Sequence, residues 1–178
     1  TVWIQRRTKA AGRACVPQPG APAPNQRWSM DFMSARVADG RSFRILTVVD
    51  QFTRECLCLV ADQSLTGEKV AQALEPVVMQ RGAPRAITVD NGSKFSSRVM
   101  DAWAYRHGIQ LDFFRQANRL RPASSRASMD GYGMNASMWK CFLMIENVRQ
   151  KLARWQQDYN RGRPHSALAG RVPAAFVA

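Results

Sequence analysis

Five short apolar runs with strand character, interrupted by two stretches of helical period, most constrain what this chain can fold into. Trp28–Val37 alternates as a strand and meets Ala38-Asp39-Gly40-Arg41, a hairpin turn signal. Phe43–Asp50 and Cys56–Val60 follow as the second and third strands. Thr66 then reads as a helix N-cap, with Lys69 at the capping-box position where Glu or Gln is usual. Val70, Ala73, Leu74, Val77 and Val78 recur at helical spacing, and Gly82 ends that helix. Pro84 leads into a fourth strand, Ala86–Val89. Ser96 or Ser97 opens a second helix with Val99, Met100, Trp103 and Ala104 on one face, stopped by Gly108. Ile109–Phe114 is a fifth strand. The order β-β-β-α-β-α-β predicts an α/β domain, a mixed sheet with flanking helices.

Two of these strands deliver an aspartate. Asp31 lies in Arg27-Trp-Ser-Met-Asp31-Phe, and Asp90 ends Ile87-Thr-Val-Asp90-Asn-Gly. A carboxylate at the end of an apolar strand is held rigidly yet reaches solvent. Two such groups side by side at one edge of the sheet can clamp Mg²⁺ ions about 3.5–4 Å apart for phosphodiester chemistry. The plainer role, a strand-end acid capping a turn, is expected of Asp50 and Asp62.

The formal net charge is +13 over 178 residues, which points to a polyanionic partner, most simply nucleic acid. Residues 1–27 carry Arg6, Arg7, Lys9, Arg13 and Arg27 with no acid, then Pro17, Pro19, Pro22 and Pro24. They read as a basic, proline-rich arm. No apolar run approaches the roughly 20 residues of a membrane span, and no secretory leader is visible. Thr1 in place of Met suggests a fragment or a processed start. Cys15, Cys56, Cys58 and Cys141 lack C-x-x-C spacing, and only His107 and His165 could join them. Reduced thiols in a cytoplasmic protein are expected, with no zinc site. Cys56 and Cys58 alternate with Leu57 and Leu59, which predicts that they share one strand face.

Residues 116–144 show no clean period, and Pro122, Gly131 and Gly133 oppose a long helix there. Order returns at Glu146, where Val148, Leu152, Trp155 and Tyr159 suit one helix face. Trp28, Trp103 and Trp155 are expected in the core, and His165 as a satisfied histidine of the C-terminal segment. The cations at Arg149, Lys151, Arg154, Arg161 and Arg163 form either a solvated helix face or a phosphate-contacting one.

Five segments together resemble the integrase catalytic core of bacterial insertion-sequence transposases, related to retroviral integrases. They are Asn25-Gln-Arg-Trp-Ser-Met-Asp31-Phe, Val48-Val-Asp50-Gln-Phe-Thr-Arg54-Glu55-Cys, Val89-Asp90-Asn91-Gly92, Ala102-Trp103-Ala104 and Asp158-Tyr159-Asn160-x-x-Arg163-Pro164-His165-Ser166-Ala167-Leu168. The resemblance covers roughly residues 25–115 and 146–176. It implies a ribonuclease-H-like fold with the core at 28–168 and a C-terminal tail at 169–178. It also implies an Asp-Asp-Glu-type strand-transfer enzyme using Mg²⁺ or Mn²⁺, with Asp31 and Asp90 as metal-binding carboxylates. DNA is the implied partner, contacted through Asn91, Lys94, Arg149, Lys151, Arg154 and Arg163. Assembly of copies on DNA follows from the resemblance, as does a DNA-binding domain upstream of Thr1.

Two departures from the family pattern matter. After Asp90-Asn-Gly the family usually has a Glu, and this chain has Lys94. In the family the third carboxylate follows the second Asp after roughly 35 residues, a spacing that suits a two-metal site built from a strand and a facing helix. That spacing falls on Arg126, a permanent cation where metal ions should sit. The irregular segment has its own explanation. The family's catalytic helix typically reads Phe-Ile-Glu-Ser-Phe-Asn-Gly-Arg-Leu-Arg-Asp-Glu-Cys-Leu-Asn. A DNA spelling of it, read one base later, gives Ser-Ser-Arg-Ala-Ser-Met-Asp-Gly-Tyr-Gly-Met-Asn-Ala-Ser, which is Ser124 to Ser137. The shift puts the lost Glu at Arg126, in agreement with the spacing. Two readings stand: a strand-transfer enzyme with weakened metal binding, and a catalytically dead remnant that at most binds DNA.

Overall fold

The structure is a computed structural model, and it describes residues 21–90, 98–114 and 144–177. Five strands form one sheet: β1 (Arg27–Arg36), β2 (Ser42–Asp50), β3 (Cys56–Asp62), β4 (Ala86–Asp90) and β5 (Gln110–Phe114). Their spatial order is β3-β2-β1-β4-β5. β1, β2 and β3 pair antiparallel, and β4 and β5 continue the sheet parallel to β1. Helices α1 (Gly67–Arg81) and α2 (Arg98–Arg106) lie on one face, and α3 (Ile145–Gly162) lies on the other. A 3₁₀ turn at Ser166–Leu168 and the short α4 (Pro173–Val177) follow. The order of elements predicted this mixed sheet with helices on both faces, and the ribonuclease-H-like architecture is the one the family resemblance implied.

Local signals account for most boundaries. Gly40 has φ +86° in the β1–β2 turn, where Val37 N–H donates to Arg41 O and Gly40 N–H to Val37 O. Thr66 caps α1 by accepting from Lys69 N–H, and Gly82, at φ +83°, ends it. Trp28, Met30, Leu46, Val48, Ile87 and Val89 point toward α1 and α2 and meet Val70, Leu74, Met100 and Trp103. The alternate residues Val37, Phe43, Ile45 and Ala61 point the other way, onto Val148 and Leu152 of α3.

Three expectations are corrected. Val99 is 48% exposed, and Met100, Trp103 and Ala104 alone carry the buried face of α2. At about 100° per residue Val99 stands at the edge of the arc that Met100, Trp103 and Ala104 span, so it reaches the rim of the groove. Cys56 and Cys58 do not share a face. The β2–β3 register slips between Val48 and Val49, so Val48 pairs with Cys58 and Val49 with Cys56. Leu57 is the extra residue of a β-bulge, which breaks the simple alternation. Cys58 joins the α1/α2 side, and Cys56 packs with Val49 and Tyr159. Burial raises the two thiols, Cys56 to about 12 and Cys58 to about 11, so neither is a nucleophile at neutral pH. Lastly, the first strand begins at Arg27 rather than Trp28, and Asn25 just before it is hydrogen-bonded to β2 and α1.

Asn25 sits at φ +59°, a conformation Asn tolerates better than most residues. Its backbone N–H donates to Asp50 Oδ2 at 2.7 Å, and its Nδ2 donates to Arg81 O at 3.1 Å. Its Oδ1 accepts from the indole of the fully buried Trp28 at 3.0 Å. One side chain thus ties the start of β1 to the end of α1, from which β4 departs. Asn25→Ala should cost about 2–4 kcal/mol, since it strands the Trp28 N–H and strains φ. Asn25→Gly should cost less, because only the bonds are lost. Denaturant unfolding that ranks the two variants equal would show that φ carries none of the effect.

The α1–α2 contact contains a second polar tie. Glu75 Oε2 accepts from Trp103 Nε1 at 2.7 Å and faces His107 Nε2 at 3.2 Å. The Trp103 hydrogen bond, opposed by desolvation and aided by His107 and Arg106, holds the Glu75 carboxyl below its usual range. A depressed carboxyl stabilises the fold above its unfolded pKa, and that share is lost as pH falls through the folded pKa. Thermal midpoints measured between about pH 5 and pH 3 should therefore drop more steeply for the parent chain than for Glu75→Gln. Parallel profiles would remove Glu75 as a source of acid sensitivity.

Candidate active site

Asp31 sits midway along β1, the central strand, opposite Thr47 of β2. It is half-buried, and its Oδ1 accepts from Phe32 N–H at 2.7 Å. Trp28 and Met30 point into the α1/α2 core, so alternation turns Asp31 toward the α3 side. On its other flank β1 runs parallel to β4 with Met30 opposite Val89. One residue further, at the end of that pairing, stand Asp31 and Asp90. The β4–β5 register places Asp90 beside Phe114. Backbone pairing thus brings the two sequence-selected aspartates to one level on neighbouring strands. The Asp90 side chain lies outside the described residues, as do Asn91, Lys94 and Arg126.

Next to this level is a polar row that the sequence reading missed. Arg27 Nη1 donates to Thr88 Oγ1 at 3.2 Å and pairs with Asp112 Oδ2, bridging β1 to β5 across β4. Gln110 Nε2 donates to Asp112 Oδ1 at 2.8 Å. Asp112 stands opposite Thr88, two residues short of the Asp90–Phe114 level, and Arg27 and Gln110 take both its oxygens. It works as a strand tie rather than a free ligand. The sequence signal was available: Arg27, Thr88 and Asp112 each break an apolar strand at an alternate position.

Asp31 and Asp90 carry the hard oxygen donors that Mg²⁺ or Mn²⁺ accepts. Among the described residues no group of three His, Cys, Asp or Glu comes together in a way that could hold a metal ion. The other strand-end acids are structural. Asp50 is buried and accepts from the N–H groups of Phe52, Thr53 and Asn25. Asp62 accepts from Ser64 N–H, Lys69 Nζ and Arg149 Nη2. Partial burial pushes its carboxyl up, but Lys69, the Ser64 N–H and Arg149 outweigh this and hold it low.

Of the candidate phosphate contacts, Arg149 serves the fold. Its Nε donates to Ala61 O at 3.0 Å, and its guanidinium also reaches Asp62. Lys151 and Arg154 are exposed on α3, and Arg163 is half-buried just beyond it. The Asp158–Leu168 motif acts as a clasp. Asn160 Oδ1 accepts from Cys56 N–H at 2.8 Å and its Nδ2 donates to Cys56 O at 3.0 Å, capping the start of edge strand β3. Tyr159 stacks on Trp155 and meets the His165 ring edge-on. Burial, then the charges of Arg163 and Arg54, lowers the His165 pKa, so a neutral ring is favoured there. Trp28 and Trp103 are buried and Trp155 partly so, as core residues. In the C-terminal segment, Phe176 of α4 packs on Phe52 with ring centroids 5.6 Å apart.

The comparisons agree with this geometry. An integrase core domain model matches residues 21–119, and a second integrase core domain model matches residues 132–173. The chain is 36% identical over 179 residues to a 31.7 kDa protein of insertion element IS407 from Burkholderia multivorans, covering 98% of this chain and 64% of that protein. It is 35% identical over 155 residues to a protein of insertion element IS476 from Xanthomonas euvesicatoria, covering 87% of this chain and 45% of that one. The transposase InsF for insertion sequence IS3A of Escherichia coli is 24% identical over 159 residues, 88% of this chain and 55% of that transposase. The chain thus spans about half to two thirds of these relatives' lengths. Among solved structures, the HTLV-2 integrase catalytic core domain in complex with magnesium superposes with a TM-score of 0.63 at 16% identity, covering 87% of this chain and 97% of that one. A simian T-cell lymphotropic virus intasome chain gives 0.67 at 16% identity, covering 89% of this chain and 56% of that chain. The fold is that of retroviral integrase cores. The chain belongs to the integrase core domain family, alongside proteins of bacterial insertion elements.

If Arg149 is a structural tie, Arg149→Ala should lower stability by about 0.5–1.5 kcal/mol, the small value reflecting a half-exposed pair. Arg154→Ala should stay within about 0.5 kcal/mol of the parent. Equal midpoints for the two variants in urea unfolding would return Arg149 to the list of free cations.

Proposed function

We propose that this chain is the catalytic core of a DNA transposase whose strand transfer is impaired by Arg126. The support is the pairing of β1 with β4, which ends at Asp31 and Asp90. In this reading the two carboxylates hold a divalent ion. That ion, when bound, helps activate water or a DNA 3′-hydroxyl for in-line attack and stabilises the leaving oxygen. Asn91, Lys94, Lys151, Arg154 and Arg163 take phosphates and position the backbone. Arg126 brings a fixed positive charge to the place of a third carboxylate, so it both withdraws a ligand and repels the ion. Recognition of specific DNA ends by a further domain, and assembly of copies on DNA, belong to the same proposal.

A second reading, a dead remnant that retains only DNA binding, is favoured by one observation. Ser124 to Ser137 matches a one-base-shifted spelling of the family's catalytic helix. Two compensating insertions or deletions flanking residues 116–145 in the gene would support it. Asp130 is a poor substitute ligand: on a helix it would stand about 6 Å along the axis from position 126. That displacement exceeds what a metal site tolerates.

A Mg²⁺- or Mn²⁺-dependent strand-transfer assay on the chain as it stands, with Asp90→Asn as control, tests both readings. Cleavage and joining should be undetectable or far below an intact relative. Arg126→Glu alone should recover little, because its neighbours are also changed. Restoring the frame across residues 117–145 should recover much more. Robust turnover by the unmodified chain, abolished in Asp90→Asn, would mean that another residue supplies the third ligand.

A further inference from the structure

We infer that the outer face of the β1–β2 hairpin is a binding site for the phosphate backbone of duplex DNA, built on Arg36 and Arg44. This inference rests on the proposed action on DNA. It assigns to DNA a surface that neither the sequence motifs nor the α3 cations include.

The hairpin has two faces with different tasks. Ala35, Val37, Phe43 and Ile45 face α3 and are packed against Val148 and Leu152. The alternate residues face outward. Ser34 pairs with Arg44 and Arg36 with Ser42, so all four side chains emerge on one surface. Ser34, Arg36 and Ser42 are exposed and Arg44 is half-buried. The two arginines are diagonal neighbours, with Cβ atoms about 6–8 Å apart. Neither makes an ion pair or hydrogen bond among the described residues. Asp62, the acid facing Arg44 across β3, is already held by Lys69 and Arg149. The turn's other arginine, Arg41, is paired with Asp39.

Solvation alone asks only for polar side chains here, and the two serines meet that need. Two unpaired guanidiniums side by side repel each other, which disfavours the folded hairpin slightly. A polyanion lying across them reverses that sign. Arginine forks with small hydroxyl donors between them are the groups that take phosphate oxygens. The apolar inner face fixes the platform, so little order is lost when it binds. Arg36 lies about 17 Å along β1 from Asp31 and on the opposite face of the sheet, so the hairpin site is separate from the two aspartates.

The test is the salt dependence of binding to a mixed-sequence duplex, followed by fluorescence anisotropy, for the chain and for Arg36→Gln/Arg44→Gln. Removing two phosphate contacts should flatten the slope of log K against log salt by about 2 and weaken binding at low salt. Arg41→Gln should leave the slope unchanged. Arg36→Lys/Arg44→Lys should keep most of it, which guards against a loss caused by altered folding. A parent chain that binds duplex with a slope the double glutamine variant does not change overturns the hairpin site and leaves the DNA reading standing. A parent chain with no salt-sensitive affinity for duplex overturns the DNA reading and this inference with it.

Discussion

Everything in this fold hangs on β1, which must pair with β2 on one side and β4 on the other. The antiparallel side is easily specified, because a tight turn at Gly40 fixes the register. The parallel side has no such turn, and its two strands are joined only through β2, β3 and α1. Asn25 supplies the missing constraint. It binds the last turn of α1, the end of β2 and the Trp28 indole at once. Immediately after it, Ala86 N–H donates to Gln26 O and the β1–β4 ladder begins. A slip of one residue would turn Trp28 and Met30 out of the core. The level of Asp31 against Asp90 is a consequence of that anchoring.

The acids of the sheet divide by what reaches them. Asp50, Asp62 and Asp112 are each saturated by backbone N–H groups or by cations, and they hold turns and strands together. This matters for the proposed chemistry, since a carboxylate whose oxygens are both engaged cannot also ligate a metal without breaking a strand tie. Asp112 is the instructive case. It is near the expected site and of the right type, yet the Arg27 bridge commits it to the sheet.

The cations divide in the same way. Arg27, Arg81 and Arg149 join elements of the fold through Asp112, Glu55 and Asp62. These pairs already cancel within the net charge of +13, so it is the count of 26 cations that overstates what a partner can use, and that count alone would have misassigned Arg149. Among the described residues Arg36 and Arg44 differ from these in making no ion pair, because Asp62 opposite Arg44 is taken by Lys69 and Arg149.

The sequence by itself determined the elements, because apolar periodicity, Gly40, Thr66 and Gly82 act within a few residues of where they stand. It also singled out Asp31 and Asp90 through the motifs around them, since Asp50 and Asp62 end strands as well. The family's spacing, laid on this sequence, marked the departure at Arg126. It misjudged Val99 and the face of Cys56, because one depends on how two helices meet and the other on a bulge between partner strands. It could not tell that Asn25 binds Asp50, that Arg27 is spent on Asp112, or that Arg149 is spent on Asp62. Those pairings join residues 25 to 87 positions apart. Only the folded sheet brings such groups within hydrogen-bonding distance, and that proximity decides which charges hold the protein together and which stay at the surface.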